Sequence, residues 1–240
     1  MSLMRLDKIM SSTGRWSRRE VKQLVKEGRV LVAGKPAAVA DDKYDPEQTE
    51  IRVDGEVLNF STYHYVMLHK PAGVLSATED RRAGTVLELL PAELQKLELF
   101  PVGRLDKDTE GLLLMTDDGP LAHRLLSPKH HVDKVYYAET DGVLTDRDCA
   151  ALAEGLVLED GLHCLPAKLE ILSSGAQSKV LITLREGKFH QVKRMLASRG
   201  APVSYLKRLS MGPLQLDPEL QRGEWRYLTK NETEALLQLK

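Results

Sequence analysis

Apolar residues near the start of the chain are spaced for two short helices and then for strands. Leu6, Ile9 and Met10 lie three and four positions apart, which predicts a first helix with one buried face. Ser17 and Glu20 have the spacing of a capping box, so we expect a second helix over 18–27. The alternating segments RVLVAGKPA and TEIRVDGEVL then predict short strands joined by tight turns.

From about residue 63 the apolar runs become longer. The strand pattern recurs in YVMLHKPAG, GLLLMT, KVYYAET, KVLITL and VSYLKRLSM. Helical spacing separates them at 120–126, 146–153, 189–199 and 230–239. Strands that follow one another with scattered helices favour an α+β fold. We therefore expect a small N-terminal α/β module, joined to a larger domain with a mixed, mainly antiparallel sheet and a central cleft.

The change in pattern also suggests where the chain divides. We assign residues 4–56 to the module, 57–62 to a linker and 63–240 to the larger domain. No apolar stretch approaches the 18 residues of a membrane span, so we expect a cytoplasmic protein without membrane contact. The two cysteines show no paired Cys-x-x-Cys spacing, which gives no support for a disulfide scaffold or a thiolate metal site.

Basic residues concentrate in two zones although the net charge is only -1. Residues 1–35 carry nine Lys or Arg against three acids, and residues 185–208 carry seven against one. In helical projection, one side of the second helix, next to its apolar face, carries a basic stripe made of Arg18, Arg19, Lys22 and Lys26. Arg15 and Arg29 extend this stripe at its two ends. Two such zones favour a polyanionic partner, and two solvated helix faces are the alternative.

Several familiar chemistries lack their sequence signatures. The chain has neither of the Gly-rich phosphate-binding patterns and no Gly-x-Ser-x-Gly elbow. The adjacent His130 and His131 would point apart in a helix or strand, so we expect no metal site. Asp117 and Asp118, ahead of Gly119, suit a turn and a helix N-cap.

Asp106 stands in GRLDKDTEGLLLMTDDG, just before an apolar run that reads as a buried strand. A carboxylate there is either a solvated turn residue or a group held still for chemistry. Asp108 lies two positions on, and the two would share a face of an extended segment. Paired carboxylates are commonly used to cleave glycosidic bonds, so hydrolysis by Asp106 and Asp108 is one candidate reaction.

The N-terminal pattern resembles the S-four RNA-binding module, over roughly residues 4–56. The resemblance implies that the basic stripe binds the phosphates of folded RNA. We accordingly expect the RNA-binding residues to include Arg15, Arg18, Arg19, Lys22 and Lys26.

From about residue 63 to the end, the chain resembles the pseudouridine synthases. The motif around Asp106 is similar to their catalytic motif, and HKPAGVLSA, KVYYAE and EGKFHQVKRMLASRG are similar to others of the family in the same order. SPKHH further resembles the RsuA branch, which acts on small-subunit 16S ribosomal RNA.

The resemblance implies a role for four residues. Asp106 matches the essential aspartate, Tyr136 the active-site tyrosine, and Arg104 the arginine that displaces the target base. Lys193 matches the basic partner of the aspartate, where many relatives have arginine, so the charge pairing is kept without a bidentate contact. A nearby cation would favour the ionised carboxylate, which burial opposes.

The implied reaction is isomerisation of a uridine in ribosomal RNA to pseudouridine, in which no cofactor is required. The expected partner is ribosomal RNA, within partly assembled small-subunit particles, and we expect a monomer. Two alternatives stay open, which are the same reaction on large-subunit 23S RNA and a non-catalytic RNA-binding assembly factor. Whether Asp106 acts as nucleophile or base is not decided by the sequence.

Overall fold

A computed structural model of the chain describes residues 3–46, 48–58 and 60–239. The chain forms two compact units, which are Met1–His64 with Leu90–Leu99, and Tyr65–Leu89 with Phe100–Lys240. Glu47, Asn59 and Lys240, which belong to the predicted module, linker and larger domain, lie outside the described residues. The segment 90–99 groups with the N-terminal unit, a long-range association that local sequence patterns do not encode.

The first unit combines short helices with small sheets. Its elements are β1 (Met4–Arg5), α1 (Leu6–Ser11), α2 (Arg18–Lys26), β2 (Val30–Val32), β3 (Lys35–Pro36), β4 (Lys43–Tyr44), β5 (Ile51–Val53), β6 (Glu56–Val57) and α3 (Ala92–Gln95). A four-stranded sheet has the order β3-β2-β5-β6, and β1 pairs with β4.

Helix α2 begins where its capping box predicts. The Glu20 amide donates to Ser17 Oγ, and the Ser17 amide donates to the Glu20 carboxylate at 2.7 Å, which satisfies two amides that the first helical turn leaves free. The helix ends at Lys26, one residue before the predicted end, and Gly28 follows in the left-handed region. Its buried face joins α1 and the sheet in one core, which includes Leu6, Ile9, Met10, Val21, Leu24, Val25, Val30 and Ile51.

The second unit contains a nine-stranded sheet and a separate two-stranded sheet. Its strands and helices are β7 (Tyr65–Lys70), β8 (Phe100–Pro101), β9 (Glu110–Thr116), α4 (Gly119–Leu126), β10 (Lys134–Asp141), α5 (Asp146–Glu154), β11 (Leu156–Val157), β12 (His163–Cys164), β13 (Lys168–Ser173), β14 (Gln177–Leu184), α6 (Gln191–Ala197), β15 (Val203–Met211), β16 (Leu214–Gln215), β17 (Trp225–Tyr227) and α7 (Lys230–Leu237). Short 3-10 turns occupy Leu87–Leu89 and Pro128–His130.

The sheet order is β13-β14-β10-β15-β9-β7-β17, with β16 paired to β15 and β8 to β9. The β15–β9 pair is parallel and the other described neighbours are antiparallel, which confirms the mixed, mainly antiparallel sheet of an α+β fold. Every residue of β9 is buried, so both faces of this central strand are covered. On one face Leu112 and Leu114 pack in a core cluster with Leu121 and Leu125 of α4. A Cβ at Gly111 would lie 2.2 Å from the Arg208 carbonyl oxygen, so glycine is required where β9 meets β15.

The other helices lie close to their predicted positions, with one informative difference. Asp118 accepts a hydrogen bond from the Leu121 amide as the N-cap of α4, as predicted. The helix predicted over 189–199 begins only at Gln191, because His190 has φ 49° and ψ 33°, a left-handed conformation that an α-helix excludes. In the described part of the chain, no helix has the length and apolar character needed to cross a membrane.

Candidate active site

Asp106 lies on the connection between β8 and β9, a few residues before the buried strand begins. The Thr109 amide donates to the Asp106 carbonyl at 3.1 Å, which closes a tight turn. The side chain of Asp106 is 26% exposed, so its carboxylate is reachable from solvent yet largely enclosed. Its two oxygens face the start of α6, where Nε2 of His190 lies 3.6 Å from Oδ1.

Lys193 on α6 lies against the same carboxylate. Its Nζ is 3.1 Å from Asp106 Oδ2 and donates to Asp108 Oδ1 at 2.5 Å. Burial opposes the charge of Lys193, but the contacts with Asp108 and Asp106 outweigh burial and raise its pKa. The contact with Lys193 also lowers the pKa of Asp108. A permanent cation therefore bridges the two carboxylates, with one contact to each.

All four residues matched to the family motif line one pocket above β10 and β15, together with Leu184, Leu206 and Thr109. Tyr136 is only 8% exposed and lies on β10, opposite Ile182 of β14. Arg104 is exposed on the connection that carries Asp106. The structure thus brings Arg104 and Asp106, which belong to one connection, together with Tyr136 and Lys193 from distant parts of the sequence.

Lys70, at the end of β7, holds the Asp106 connection in place. Its side chain is fully buried, and the three N–H groups of its ammonium are shared among four backbone carbonyls, those of Pro71 (3.0 Å), Asp106 (3.1 Å), Lys107 (3.3 Å) and Thr109 (2.9 Å). Burial lowers the pKa of Lys70 to about 8. This role was not predicted from the sequence, in which the one signal is a lysine at the end of a largely apolar strand, within HKPAG.

Two residues of the loop that follows β7 form further hydrogen bonds with the connection that carries Asp106. Ser76 Oγ donates to the Leu105 carbonyl at 2.9 Å and accepts from the Leu105 amide at 3.0 Å. The Gly73 amide donates to the Lys107 carbonyl at 2.7 Å. Backbone on both sides of Asp106 is thereby fixed, which is the rigid support that a positioned catalytic group needs.

A buried polar group anchors the segment that precedes α6. Glu186 is 5% exposed and accepts from the Leu165 amide at 2.8 Å and from Gln191 Nε2 at 2.5 Å. Gln191 Oε1 in turn accepts from the Lys188 amide at 3.0 Å. These bonds hold the 186–191 segment, and with it the start of α6 that carries Lys193.

One side chain in the pocket is left without a partner. Thr109 is 1% exposed, and its hydroxyl makes no hydrogen bond among the described residues. Buried hydroxyls are usually paired, and Thr109 lines the pocket beside Asp106, so its hydroxyl is a candidate contact for a substrate. Within the described residues, no cluster of three or more His, Cys, Asp or Glu side chains could hold a metal ion.

The predicted RNA-binding residues belong to the N-terminal unit. Arg18, Arg19, Lys22 and Lys26 are all exposed on α2. Lys22 Nζ lies 3.8 Å from Asp41, and the Arg15 guanidinium lies 4.6 Å above the Trp16 ring and 3.5 Å from Glu56. These long, exposed ion pairs leave the cations available to an incoming anion.

Arg29 differs from the rest of the basic stripe. Its Nε and Nη2 donate to the two carboxylate oxygens of Asp54, at 2.8 Å and 2.6 Å, and Glu27 lies 3.2 Å from Nη1. Arg29 therefore forms a bidentate ion pair with Asp54, which lies in the turn between β5 and β6.

Comparison with known proteins accords with this geometry. Residues 64–198 match the family model described as RNA pseudouridylate synthase, and residues 4–49 match the S4 domain, the S-four module. A Bacillus subtilis protein named as an uncharacterized RNA pseudouridine synthase is 49% identical over 97% of this chain and 98% of its own. Ribosomal small subunit pseudouridine synthase A of Vibrio vulnificus is 38% identical over 97% of this chain and 99% of its own.

A solved structure supports the same assignment. The crystal structure of a pseudouridylate synthase superposes with a TM-score of 0.68 and 35% identity, and covers 97% of this chain and 99% of its own. The resemblance inferred from the sequence motifs is confirmed along nearly the whole chain. This chain belongs to the RNA pseudouridine synthase family and carries an S4 domain at its N-terminal end.

Proposed function

We propose that this protein isomerises a specific uridine of 16S small-subunit ribosomal RNA to pseudouridine. It does so with the carboxylate of Asp106, without a cofactor, as a cytoplasmic monomer acting on partly assembled particles. The observation that carries the proposal is the Asp106–Lys193 contact of 3.1 Å in the pocket that also contains Tyr136. The choice of RNA rests on relatives named ribosomal small subunit pseudouridine synthase A, which cover 95–97% of this chain at 38–39% identity.

The chemistry needs few participants. The C–N glycosidic bond breaks, the uracil turns within the pocket, and its C5 forms a C–C bond to the same sugar carbon. The proton on C5 is then lost and N1 gains one, so the composition is unchanged and no redox change occurs. A carboxylate suffices, either as a nucleophile or as a base on the sugar. Asp106 places a carboxylate in a largely enclosed site, and Lys193 sets a positive charge 3.1 Å from it.

The remaining pocket residues would handle the base. Extruding a base from folded RNA costs a few kcal/mol, of which stacking on an aromatic side chain recovers part. Tyr136, almost fully buried beside Asp106, would provide that face. Arg104, exposed on the same connection, would displace the uridine from its stack.

The exposed cations of α2 would bind the phosphates of the same RNA. Arg18, Arg19 and Lys26 present charge without a close carboxylate contact among the described ion pairs. Sequence-independent phosphate contacts hold an RNA, while the pocket selects the base.

Mapping pseudouridines across ribosomal RNA tests this proposal. RNA from cells with and without the gene is compared, and the gene is restored as wild type or as Asp106→Asn. We expect one 16S position to lose its modification and to regain it only with the wild-type protein. Loss of a pseudouridine at a 23S position would show instead that large-subunit RNA is the substrate. Unchanged maps, with tight RNA binding by the purified protein, would favour an assembly factor instead.

A further inference from the structure

Phe189 is the most exposed of the large apolar side chains in the described residues, at 75%. It stands immediately before His190, on the segment that Glu186 anchors. Aromatic side chains gain most from burial, and one left open beside a reaction centre is a recurrent feature of binding sites.

One face of the Phe189 ring packs against a neighbouring ring. It stacks on the His190 imidazole, with ring centroids 3.8 Å apart and planes inclined by 18°. Nε2 of His190 in turn lies 3.6 Å from Asp106 Oδ1. One face of the phenyl ring is therefore backed by the protein, and the exposure of the side chain leaves the other open.

The ring borders a groove that continues from the Tyr136 pocket. The groove has a volume of about 450 Å³, and Phe189, Leu75 and Ser76 line it together with three cations, Arg104, Lys107 and Lys188. The two cavities share Asp106 and Arg104 in their walls. The Tyr136 pocket is smaller, at about 60 Å³, so the groove is the place with more room for a second base.

The lining fits a nucleotide. Cations alone would suit any anion, and an aromatic face alone would suit any apolar group, but the two together are the combination that binds single-stranded nucleic acid. The groove also starts at Asp106, where the target uridine would be bound, so the next nucleotide of the strand would enter it.

We propose that the Phe189 groove is a second nucleobase subsite, in which the base next to the target uridine stacks on the open face of Phe189. The phosphate of that nucleotide contacts Arg104 and Lys107. This inference rests on the proposed function. It adds a residue that contacts the base beside the target uridine to the residues that act on the uridine itself.

Substitution of Phe189 tests the subsite. Because the side chain is exposed, Phe189→Ala should keep the wild-type melting temperature. On 16S RNA we expect its KM to rise about ten- to a hundredfold, since base stacking carries that much binding, with kcat within about threefold. Phe189→Trp should restore KM. Tyr227→Ala, which removes an exposed aromatic residue on β17 that lines neither cavity, is the matched control and should leave KM unchanged.

A second experiment uses a short RNA hairpin that carries the mapped uridine, and it identifies the base that stacks on Phe189. The base on one or the other side of the uridine is removed as an abasic residue. For the wild type, we expect one abasic position to raise KM by the same factor as Phe189→Ala, and we expect the variant to lose nothing more on that RNA. If the abasic position and Phe189→Ala raise KM independently, so that their factors multiply, the subsite is overturned. A normal KM for Phe189→Ala would overturn it as well. Absence of product with wild-type protein would instead overturn the proposed function.

Discussion

The Nζ of Lys193 lies 3.1 Å from Asp106 Oδ2 and 2.5 Å from Asp108 Oδ1, so a single ammonium bridges two carboxylates from a distant part of the chain. Asp108 is 71% exposed, whereas Asp106 is 26% exposed and lines the pocket. The two carboxylates that contact Lys193 therefore occupy different positions. Asp106 faces the space for a substrate, and Asp108 helps to hold the lysine.

Removing the cation should impair chemistry more than binding. In Lys193→Met, the enclosed Asp106 carboxylate loses its counter-charge, and we expect single-turnover rates on saturating RNA to fall by about a hundredfold or more. The dissociation constant for RNA should change by less than about threefold. Quench-flow measurement of pseudouridine formation, with filter binding for affinity, checks both.

Two variants control for charge and for general lysine loss. Lys193→Arg keeps the positive charge and should retain a large part of the activity. Lys179→Met removes an exposed lysine whose only described ion pair is a 3.7 Å contact to Glu139, and it should behave as wild type. Normal turnover in Lys193→Met would show that Asp106 needs no cationic partner.

Lys70→Met should loosen the Asp106 connection. Four carbonyls lose their buried donor, and we expect the free energy of unfolding to fall by about 2 kcal/mol or more. Turnover should fall further than KM rises, because the displaced group is Asp106 rather than an RNA-binding residue. Urea unfolding and steady-state kinetics on one preparation give both values. Wild-type activity in the variant would exclude Lys70 as a positioning residue.

Lys134 predicts a pH dependence of stability. It is 5% exposed, its Nζ donates to the Val132 carbonyl at 3.0 Å, and burial lowers its pKa from 10.5 to about 8. Between those pH values the unfolded state retains a proton that the folded state has released, so this residue makes stability rise with pH. The gain reaches about 3 kcal/mol at most.

Urea unfolding of wild type and Lys134→Met at pH values from about 7 to 10 measures this contribution. The difference, wild type minus variant, should increase steadily with pH, because only the wild type carries the buried lysine. Lys179→Met, which alters an exposed lysine, should give a flat difference. A flat difference for Lys134→Met as well would mean that its ammonium stays charged on folding.

The α2 stripe predicts a salt effect. Neutralising Arg18, Arg19 and Lys26 together should flatten the slope of log binding constant against log salt concentration by roughly 2 to 3, if each contacts a phosphate. Arg29→Gln is the matched control, because the Arg29 guanidinium is already paired with Asp54. Equal effects of the triple and the control variant would contradict a specific role for this face.

Much of the fold could be predicted because its signals are local. The Ser17–Glu20 capping box predicted the start of α2, and the continuous apolar run of GLLLMT matches the complete burial of β9. The pairing of Asp106 with Lys193 was expected from motif resemblance, since no periodicity connects two such distant positions.

The supporting contacts could not be predicted because they depend on tertiary neighbours. Lys70 reads as the polar end of a strand, and only the folded chain places four carbonyls around its ammonium. Phe189 fits a helical spacing, but the left-handed His190 delays α6 and leaves the phenyl ring at the surface. Asp108 was grouped with Asp106 as a possible catalytic pair, whereas its exposed side chain holds Lys193.

Pseudouridine formation by Asp106→Asn and Asp108→Asn on the same 16S RNA tests the role of the enclosed carboxylate most directly. Both variants lose one negative charge beside Lys193, but only Asp106 lines the pocket. Mass spectrometry of the product should show that Asp106→Asn reduces the rate by more than about a thousandfold, while Asp108→Asn stays within about tenfold of wild type. Conversion by Asp106→Asn at the wild-type rate would contradict a catalytic role for this carboxylate.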